Sequence, residues 1–256
     1  MNRFTKILIL MAAPLLAHAE LSVKEVLDKV YDSYDQAHDC WITTDNEQQR
    51  YCMKIDRSDK VAANTGQRLY LLMAGDAVDD KGEPSDSHAQ SGLVGAFVIE
   101  EHDGQAEIIA SDAKIPMGGY GAAPSQWQFV KLGASDYWGW QNTTGYSGQG
   151  YSNSYYVILA PYGKKIHNLA GFAQGFDDAG ACTEDEQKCA TISTSIESTL
   201  EIDSSQTDAK VFPLHITVTG KDKGKSIATK TWTIPFDSKK WMYIEPKDWT
   251  LKNRDI

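Results

Sequence analysis

The sequence predicts a mainly β protein (α+β class), built from antiparallel β-sheets with one N-terminal amphipathic helix. About ten apolar or alternating runs of strand length follow residue 52, separated by turn residues such as Gly, Asp and Asn. Only near the N-terminus do apolar residues recur every three or four positions, as on one face of a helix. Helices and strands do not alternate along the chain as they do in parallel α/β folds, so the sheets are expected to be antiparallel.

The first nineteen residues have the pattern of a secretory signal peptide. Arg3 and Lys6 precede an apolar run over 7–17, and Ala17-His18-Ala19 forms a small-x-small cleavage site. The run is shorter than the roughly 20 residues that a membrane-spanning helix needs. We therefore predict cleavage at this site, no membrane insertion, and a single mature domain over 20–256 in the periplasm or outside the cell.

The charge of the chain restricts its partners. The net charge is −10. Removal of the predicted signal peptide takes away two of the 25 basic residues and none of the 35 acidic ones, which makes it −12. Nucleic acids and anionic lipid surfaces are bound by clustered Lys and Arg, so neither is an expected partner. The charge favours a basic protein partner, or it serves solubility alone.

A helix is predicted over residues 23–38. Ser22 and Glu25 form a capping box, in which each side chain bonds the backbone amide of the other residue. His38 would lie at the C-terminal end of this helix, where a cation complements the helix dipole. One apolar stripe, expected to pack on the sheets, consists of Val23, Val26, Leu27, Val30, Tyr31 and Tyr34.

Four cysteines predict two disulfides. An even number of cysteines in an exported chain indicates disulfide bonds, and zinc prefers a closer spacing than the one seen here. We expect Cys40 to pair with Cys52 and Cys182 with Cys189, because each pair brackets a short polar segment. No metal site and no cofactor is predicted.

Strands are predicted over the runs that follow Cys52. His102-Asp103-Gly104 is expected to form a hairpin turn, because Gly adopts the positive φ that such turns need. The predicted strands are 68–75, 92–101, 106–112, 127–132, 154–160, 166–173, 191–202, 214–219 and 226–236.

The segment GYSGQGYSNSYY (145–156) lacks the features of a catalytic or nucleotide-binding loop. It approaches the nucleophile motif G-x-S-x-G, but Gln149 replaces the last Gly and a strand, not a helix, is expected to follow. It also lacks the third Gly of a dinucleotide fingerprint. We predict a Gly-rich turn that leads into a strand, with Tyr146 and Tyr151 displayed on a loop.

Aromatic residues are concentrated around this segment. Residues 120–162 contain eleven aromatic side chains in 43 positions, where the average over the chain is 10%. Aromatic side chains fill cores, but they also form recognition surfaces, because they bury much area at low entropy cost. Tyr146 and Tyr151 are flanked by Gly and Ser and are our candidate binding residues.

Two acidic segments are further candidates. Glu184, Asp185 and Glu186 lie between Cys182 and Cys189, where a disulfide would present them as a stiff protrusion suited to a basic cleft, or simply as a surface loop. A second acidic segment at 76–86 is either a solvated loop or a calcium site, and its spacing is not that of an EF-hand.

Several short motifs resemble a set of uncharacterised secreted bacterial proteins. The motifs are GLVGAFV, APSQWQFVKLG, GYSGQGY, ILAPYG and DDAGAC, all within 68–200. The resemblance implies a bacterial envelope setting. It implies no activity and assigns no functional residue.

These observations predict an exported, non-enzymatic binding protein. The first expectation is a protein partner, as for an inhibitor or a toxin-immunity protein, bound through the acidic disulfide loop and the Tyr-rich rim. The alternative is a glycan or peptidoglycan ligand bound by the aromatic cluster. A third is a hydrolase whose paired carboxylates cannot be selected from sequence, because their geometry is tertiary.

Overall fold

The computed structural model describes residues 23–63, 66–85, 87, 89–102 and 105–252. The predicted signal peptide, the capping residue Ser22 and the turn residues Asp103 and Gly104 lie outside these ranges. Within them the protein is mainly β, as predicted. No helix in this part of the chain is long and apolar enough to cross a membrane.

Seventeen strands, two α-helices and one 3₁₀ turn follow one another along the described chain. The helices are α1 (Val23–Val30) and α2 (Glu186–Ile192), and the 3₁₀ turn spans Ala179–Ala181. The strands are β1 (Ser33–Asp35), β2 (Cys40–Thr44), β3 (Arg50–Ala63), β4 (Gly66–Val78), β5 (Gly92–His102), β6 (Gln105–Met117), β7 (Gln128–Gly133), β8 (Tyr137–Gly148), β9 (Tyr151–Tyr162), β10 (Lys165–Asn168), β11 (Ala173–Asp177), β12 (Ser195–Ile202), β13 (Leu214–Asp222), β14 (Lys225–Ser226), β15 (Lys230–Ile234), β16 (Phe236–Asp237) and β17 (Met242–Tyr243).

Fifteen strands form one sheet, and β16 pairs with β17 separately. The order in the large sheet is β1-β2-β3-β4-β5-β6-β10-β9-β11-β12-β13-β14, with β15 beside β13 and the β7–β8 pair beside β9. The pairings are antiparallel, as predicted, with one exception: β10 runs parallel to β6, where Lys165 lies opposite Ser111. This parallel contact joins the first six strands to the later ones.

Strand β9 occupies the centre of the fold. β8 follows one of its edges, from the pair Gly148–Tyr151 to the pair Trp140–Leu159. β10 and β11 share the other edge, β10 near the C-terminal end of β9 and β11 near its N-terminal end. Both edges of β9 are therefore hydrogen-bonded over most of their length.

Three apolar clusters form the core. In the first, Leu27 of α1 packs against one face of β3–β5, as the predicted apolar stripe requires. In the second, the other face of β4 and β5 packs on Trp140 and Leu159. In the third, Ile158 packs with β12, β13, β15 and Trp249. Full burial of such side chains stabilises the fold by about 1.5–3 kcal/mol each.

The N-terminal helix is shorter than predicted. It ends at Val30 and not at residue 38, and Ser33–Asp35 forms β1 instead. The Asp35 carboxylate accepts hydrogen bonds from the backbone N–H of Ala37 at 2.9 Å and from Nδ1 of His38 at 2.8 Å, which stabilises a turn in place of the helix. The same bonds, first that of His38, lower the pKa of Asp35. His38 thus lies in the turn between β1 and β2.

The strand predictions were right in kind but incomplete. The runs at 68–75, 92–101 and 154–160 lie inside β4, β5 and β9, which extend further at both ends or at one. Residues 191–192 belong to α2, and the run at 166–173 is divided between β10 and β11. The sequence did not predict β3 and β8, because their apolar and polar residues do not alternate regularly. Such irregularity is expected where a long strand leaves the core at one end.

Both predicted disulfides are present. Cys40 is bonded to Cys52 with a Cα–Cα distance of 5.4 Å, and Cys182 to Cys189 with a distance of 5.7 Å. The first bond joins the neighbouring strands β2 and β3. The second joins the end of the 3₁₀ segment to α2.

Candidate functional site

A groove of about 530 Å³ lies beside the N-terminal end of β9. Its walls come from β8, β9, β11 and β12, together with the turn at Gly119 and Tyr120. We call it the hairpin groove, because the β8–β9 hairpin supplies the largest share of its lining. Most of its lining side chains carry hydroxyl, amide or carboxylate groups.

The hairpin itself ends in a two-residue turn. Gln149 and Gly150 both have positive φ, 53° and 85°, as a type I′ turn requires. Tyr146 and Tyr151 therefore lie in strands β8 and β9, and the prediction that they sit on a loop was wrong. Their side chains are exposed at 42% and 37% respectively, so the expected surface position holds.

Two tyrosines form a flat wall of the groove. The rings of Tyr120 and Tyr146 are parallel to within 1°, with their centroids 6.0 Å apart. The Tyr120 hydroxyl donates a hydrogen bond to the carbonyl oxygen of Ser147, which fixes the ring against β8. Tyr120 also has a φ of 56°, a left-handed conformation that costs a non-glycine residue about 1–2 kcal/mol.

The position of the Tyr146 ring depends on Gly148. A Cβ atom at residue 148 would lie 2.2 Å from the Tyr146 hydroxyl oxygen, so the ring folds back over the place where a side chain would be. Any larger residue at this position would displace the ring. Gly148 therefore acts as a positioning residue for the tyrosine wall.

Hydrogen-bonded polar side chains form the floor. Ser147 Oγ and Ser152 Oγ are 2.8 Å apart across the hairpin. Ser154 Oγ donates to Oε1 of Gln174, whose Nε2 donates to the carbonyl oxygen of Ser198 at 2.9 Å. Gln174 lies at a β-bulge of β11, and such bulges commonly redirect a side chain.

Asn153 is an unsatisfied buried residue on the other face of the sheet, because it pairs with Tyr146 while Ser152 pairs with Ser147. Its side chain is 8% exposed, and its Oδ1 atom has no hydrogen-bond partner among the described residues. A buried acceptor left without a donor costs about 1–3 kcal/mol. Because Asn153 lines the groove, a ligand donor placed there would remove this cost.

Two carboxylates line the groove at the side that is further from the tyrosines. Asp177 is on β11 and Glu197 on β12, and Glu197 pairs with Gly175, two residues from Asp177. They are therefore diagonal neighbours on the same face of the sheet. No Lys, Arg or His is among the described residues that line the groove.

The acidic disulfide segment is only partly a loop, because Glu184 and Asp185 precede α2 and Glu186 begins it. Asp185 caps α2, its carboxylate accepting from the backbone N–H of Lys188 at 2.9 Å, and Glu184 pairs with Lys188 Nζ at 2.9 Å. Glu186 is exposed in the first helical turn. Acidic residues at a helix N-terminus stabilise the helix, so two of the three predicted binding carboxylates already have local partners.

The tip of the hairpin contacts the segment that precedes this disulfide. The backbone of Gly150 lies against Gly180 and Ala181. Tyr151 and the acidic residues at 184–186 therefore come from neighbouring elements, although 33 positions separate Tyr151 from Glu184 in the sequence. The Tyr-rich segment and the acidic disulfide segment, which were predicted separately, therefore lie at the same end of the molecule.

A second groove of about 600 Å³ lies near His38 and the Cys40–Cys52 disulfide. Two of its three carboxylates have structural partners: Asp56 accepts from the backbone N–H groups of Gln126 and Trp127, and Asp76 accepts from that of Ala123. In the acidic segment at 76–86, Asp79 likewise accepts from two backbone N–H groups. Across the described residues, no three His, Cys, Asp or Glu side chains are grouped as metal ligands.

The sequence pattern indicated Tyr146 but not the other residues that line the groove. Tyr120 is flanked by Gly residues in GGYG, as Tyr146 and Tyr151 are in their segment, so the same criterion would have found it. Asn153, Asp177 and Glu197 carry no such signal. Of the eleven clustered aromatics, Trp127, Trp140 and Tyr156 are buried in the core.

Comparison with known proteins adds no assignment. Neither the protein-family models nor the curated proteins nor the solved structures yield a match to this chain. The fold and the groove thus define a mainly β protein with two disulfides and a polar, tyrosine-walled groove.

Proposed function

We propose that this protein is an exported binding protein whose hairpin groove binds a saccharide chain. The observation that carries the proposal is the parallel pair of exposed tyrosines, Tyr120 and Tyr146, at the edge of a groove otherwise rich in hydroxyl and amide groups. The predicted signal peptide, the two disulfides and the resemblance to secreted bacterial proteins support a periplasmic or secreted location.

The chemistry of a sugar ring matches this combination. A pyranose has an apolar face of C–H groups, which packs on a flat aromatic ring, and an edge of hydroxyl groups that both donate and accept hydrogen bonds. Tyr120 and Tyr146 offer the flat surface, and Asn153, which pairs with Tyr146 and so lies on the same face of the sheet, offers a polar partner. Binding sites commonly combine apolar surface with a few placed polar groups in this way.

Asn153 supports the same ligand class. A sugar hydroxyl that donates to its Oδ1 atom would satisfy this buried acceptor, which has no partner among the described residues. The groove volume of about 530 Å³ falls within the range of about 300–1,000 Å³ for small-ligand sites.

A basic protein partner is the second candidate, and a different surface favours it. Tyr151 and Ile192 are exposed at 37% and 50%, near the acidic first turn of α2. Charge-steered protein association weakens as ionic strength rises, whereas stacking of a neutral sugar on tyrosine changes little. Affinity measured at low and high salt therefore separates the two candidates.

Calorimetric titration with neutral oligosaccharides tests the proposal. The wild-type protein is titrated with tetramers of glucose and of N-acetylglucosamine, and the Tyr120→Ala and Tyr146→Ala variants follow. The control is Tyr162→Ala, since Tyr162 is a 48% exposed tyrosine at the other end of β9. We expect binding to be lost in the first two variants and kept in the third.

Two results would contradict the proposal. One is that no saccharide binds the folded wild-type protein. The other is that all three tyrosine variants bind equally well. Mass spectrometry of the recovered saccharide completes the test, because cleaved products would show a hydrolase and not a binding protein.

A further inference from the structure

We infer that the hairpin groove recognises 2-acetamido sugars, the saccharides that carry an N-acetyl group on C2. The inference rests on the proposed function and names its ligand class. It is carried by one row of the sheet, in which Asn153 lies between the aromatic side chains of Tyr146 and Phe176. The Oδ1 atom of Asn153 is buried and has no hydrogen-bond partner among the described residues.

This row is defined by the register of four neighbouring strands. Asn153 on β9 pairs with Tyr146 on β8 and with Phe176 on β11, and Phe176 pairs with Ile196 on β12. Residues directly opposite each other in antiparallel strands point to the same face of the sheet. All four residues line the groove. Because neighbouring strands are about 4.8 Å apart, Tyr146 and Phe176 are separated by about 10 Å, with Asn153 midway between them.

The segment that carries Tyr120 crosses the same face. The backbone N–H of Gly118 donates to Oγ1 of Thr144 at 3.1 Å, and Thr144 lies two residues from Tyr146 on β8, so both side chains point to one side. The ring of Tyr120 is parallel to that of Tyr146. The tyrosine wall and the acceptor of Asn153 are therefore presented on one side of the sheet.

The row itself carries no charge. Asp177 and Glu197 are the charged side chains among the described lining residues, and they follow Phe176 and Ile196 in the sequence. Successive strand residues point to opposite faces, so these carboxylates belong to the other side of the sheet. An ammonium group at Asn153 would lose its hydration without gaining a carboxylate from the described lining on its side. The complementary ligand group is a neutral donor.

An acetamido group matches the row in shape as well as in hydrogen bonding. In its trans amide the N–H and the methyl group lie on the same side, and the carbonyl oxygen points to the opposite side. When the N–H donates to Oδ1 of Asn153, the methyl group packs against the half-buried ring of Phe176 and the carbonyl oxygen faces water. The sugar ring then lies towards Tyr146, with its apolar face on the tyrosine wall.

A hydroxyl group on the same carbon matches less well. It donates to Asn153, but its own lone pairs are then buried beside an aromatic ring, and it has no methyl group to pack against Phe176. One methylene-sized group in an apolar pocket changes affinity by about tenfold or more. We therefore expect 2-acetamido sugars to bind at least about tenfold more tightly than their 2-hydroxy counterparts.

Calorimetric titration with three β-1,4-linked tetramers tests the inference: those of N-acetylglucosamine, glucosamine and glucose. The variant is Asn153→Leu, which keeps the size of the side chain and removes its acceptor. We expect its affinity for the N-acetylated tetramer to fall by about tenfold, because the acetamido N–H is then buried without an acceptor. The affinity for the glucose tetramer should fall by less than about threefold, because a hydroxyl can rotate towards water.

Thermal unfolding separates a binding role from a structural one. Asn153→Leu removes a buried acceptor that lacks a partner, so the melting temperature of the ligand-free protein should not fall. A clear fall would show that this oxygen is already satisfied in the free protein and would overturn the inference.

The matched control is Asn142→Leu. Asn142 lies on the same face of β8 as Tyr146 but is not among the described residues that line the groove. Its side chain donates to the Ser125 carbonyl oxygen at 2.9 Å and accepts from the backbone N–H of Thr143 at 2.8 Å. This variant should therefore unfold at a lower temperature and keep the wild-type preference among the tetramers.

The affinities of the wild-type protein separate the inference from the proposed function. If the N-acetylglucosamine and glucose tetramers bind equally, or the glucosamine tetramer binds most tightly, the inference is overturned and the proposed function stands. A preference for the N-acetylated tetramer that survives in Asn153→Leu also overturns the inference, because the acetamido group is then recognised elsewhere. If no tetramer binds, the proposed function is overturned and the inference with it.

Two disaccharides distinguish the sources of an acetamido group. One is N,N′-diacetylchitobiose, which comes from a homopolymer. The other is N-acetylglucosaminyl-N-acetylmuramic acid, a cell-wall fragment whose second sugar carries a lactyl carboxylate. Tighter binding of the first indicates a homopolymer as the ligand, and tighter binding of the second indicates the cell wall. Either should bind more tightly than cellobiose, and binding weaker than that of cellobiose by both would overturn the inference.

Discussion

Gly150 and Gly180 contact each other backbone to backbone, at the point where the tip of the β8–β9 hairpin meets the turn before Cys182. A Cβ atom at Gly150 would lie 2.2 Å from the carbonyl carbon of Gly180, and one at Gly180 would lie 2.9 Å from the Cα of Gly150. Side chains do not fit at these distances, so both positions require glycine. The contact ties the tyrosine-bearing hairpin to the disulfide segment.

Gly150→Ala should destabilise the protein more than the same change at Gly163. Both residues have positive φ, 85° and 61°, so both substitutions incur the left-handed penalty of about 1–2 kcal/mol. Only Gly150 also meets a neighbouring backbone, since a Cβ at Gly163 has nothing within 4 Å. Urea unfolding of the two variants measures the difference, and equal losses of free energy would show that the Gly180 contact is not close in solution.

Gly148→Ala should weaken saccharide binding without unfolding the protein. The new methyl group meets the movable end of the Tyr146 side chain and not a backbone atom, so the ring shifts and the strand stays. We expect affinity to fall by about fivefold or more, with the unfolding free energy changed by less than about 1 kcal/mol. Gly171→Ala is the control, because its Cβ makes only an ordinary contact at 3.7 Å. Unchanged affinity in Gly148→Ala would contradict the role of the tyrosine wall.

The two disulfides should differ in what their loss does. Each closes a short loop and contributes about 2–3 kcal/mol by restricting the unfolded chain. Cys40 is fully buried, so Cys40→Ala/Cys52→Ala also leaves a cavity and should lower the melting temperature more than Cys182→Ala/Cys189→Ala does.

Removing the Cys182–Cys189 bond should leave saccharide affinity nearly unchanged. The strands on either side of it are still joined by two hydrogen bonds, from the backbone N–H of Thr194 to the Asp178 carboxylate at 2.6 Å and from the backbone N–H of Asp178 to the Thr194 carbonyl at 3.0 Å. A basic protein partner that binds α2 would instead be lost. Titration with each ligand class thus separates the two candidate functions again, and lost saccharide affinity would show that the groove depends on the disulfide.

Stability should fall at alkaline pH because of buried tyrosines. Burial raises the pKa of Tyr137 and Tyr156 to about 12, and burial with a hydrogen bond to Asp45 raises that of Tyr51 to about 12. Unfolded tyrosine has a pKa of about 10. The unfolded chain therefore releases protons that the native chain keeps, so stability is fully present below about pH 10 and is lost as pH rises towards about 12.

Tyr156→Phe should make this alkaline loss smaller. It removes one of these protons, although at neutral pH it costs about 1 kcal/mol through the lost bond to Ser198 Oγ at 2.9 Å. Unfolding free energies at pH 7, 9, 10 and 11 test this, with the exposed Tyr162→Phe as a control that should follow the wild type. An unchanged slope in Tyr156→Phe would mean that this hydroxyl titrates normally in the native state.

The sequence predicted those features that depend on local spacing. The disulfide partners are close along the chain, and the start of α1, its buried face and the β class follow from apolar periodicity. The end of α1 could not be predicted from apolar periodicity, because Asp35 can cap a turn or continue a helix. Which of the two occurs depends on the pairing of β1 with β2. Tyr146 could be recognised as exposed from its Gly and Ser neighbours.

The groove could not be predicted, since it is a product of sheet register. Ser154, Gly175 and Glu197 lie side by side because three strands pair in one alignment, and the bulge at Gln174 shifts that alignment by one residue. A shift of one residue moves a side chain to the other face of a strand. No short-range sequence pattern encodes the register of the strands. Each of these residues taken alone is an ordinary strand residue.

The central position of β9 has a consequence for how the chain reaches its native state. Adjacent residues of this strand, Val157 and Ile158, belong to two different apolar clusters, so neither cluster can be completed without it. Within the described residues β6 pairs with the later strands through β10, so contacts between distant parts of the chain have to form before either half is closed. Such a topology folds slowly and exposes unpaired edges meanwhile. The chain is therefore expected to fold slowly and to unfold in a single calorimetric transition.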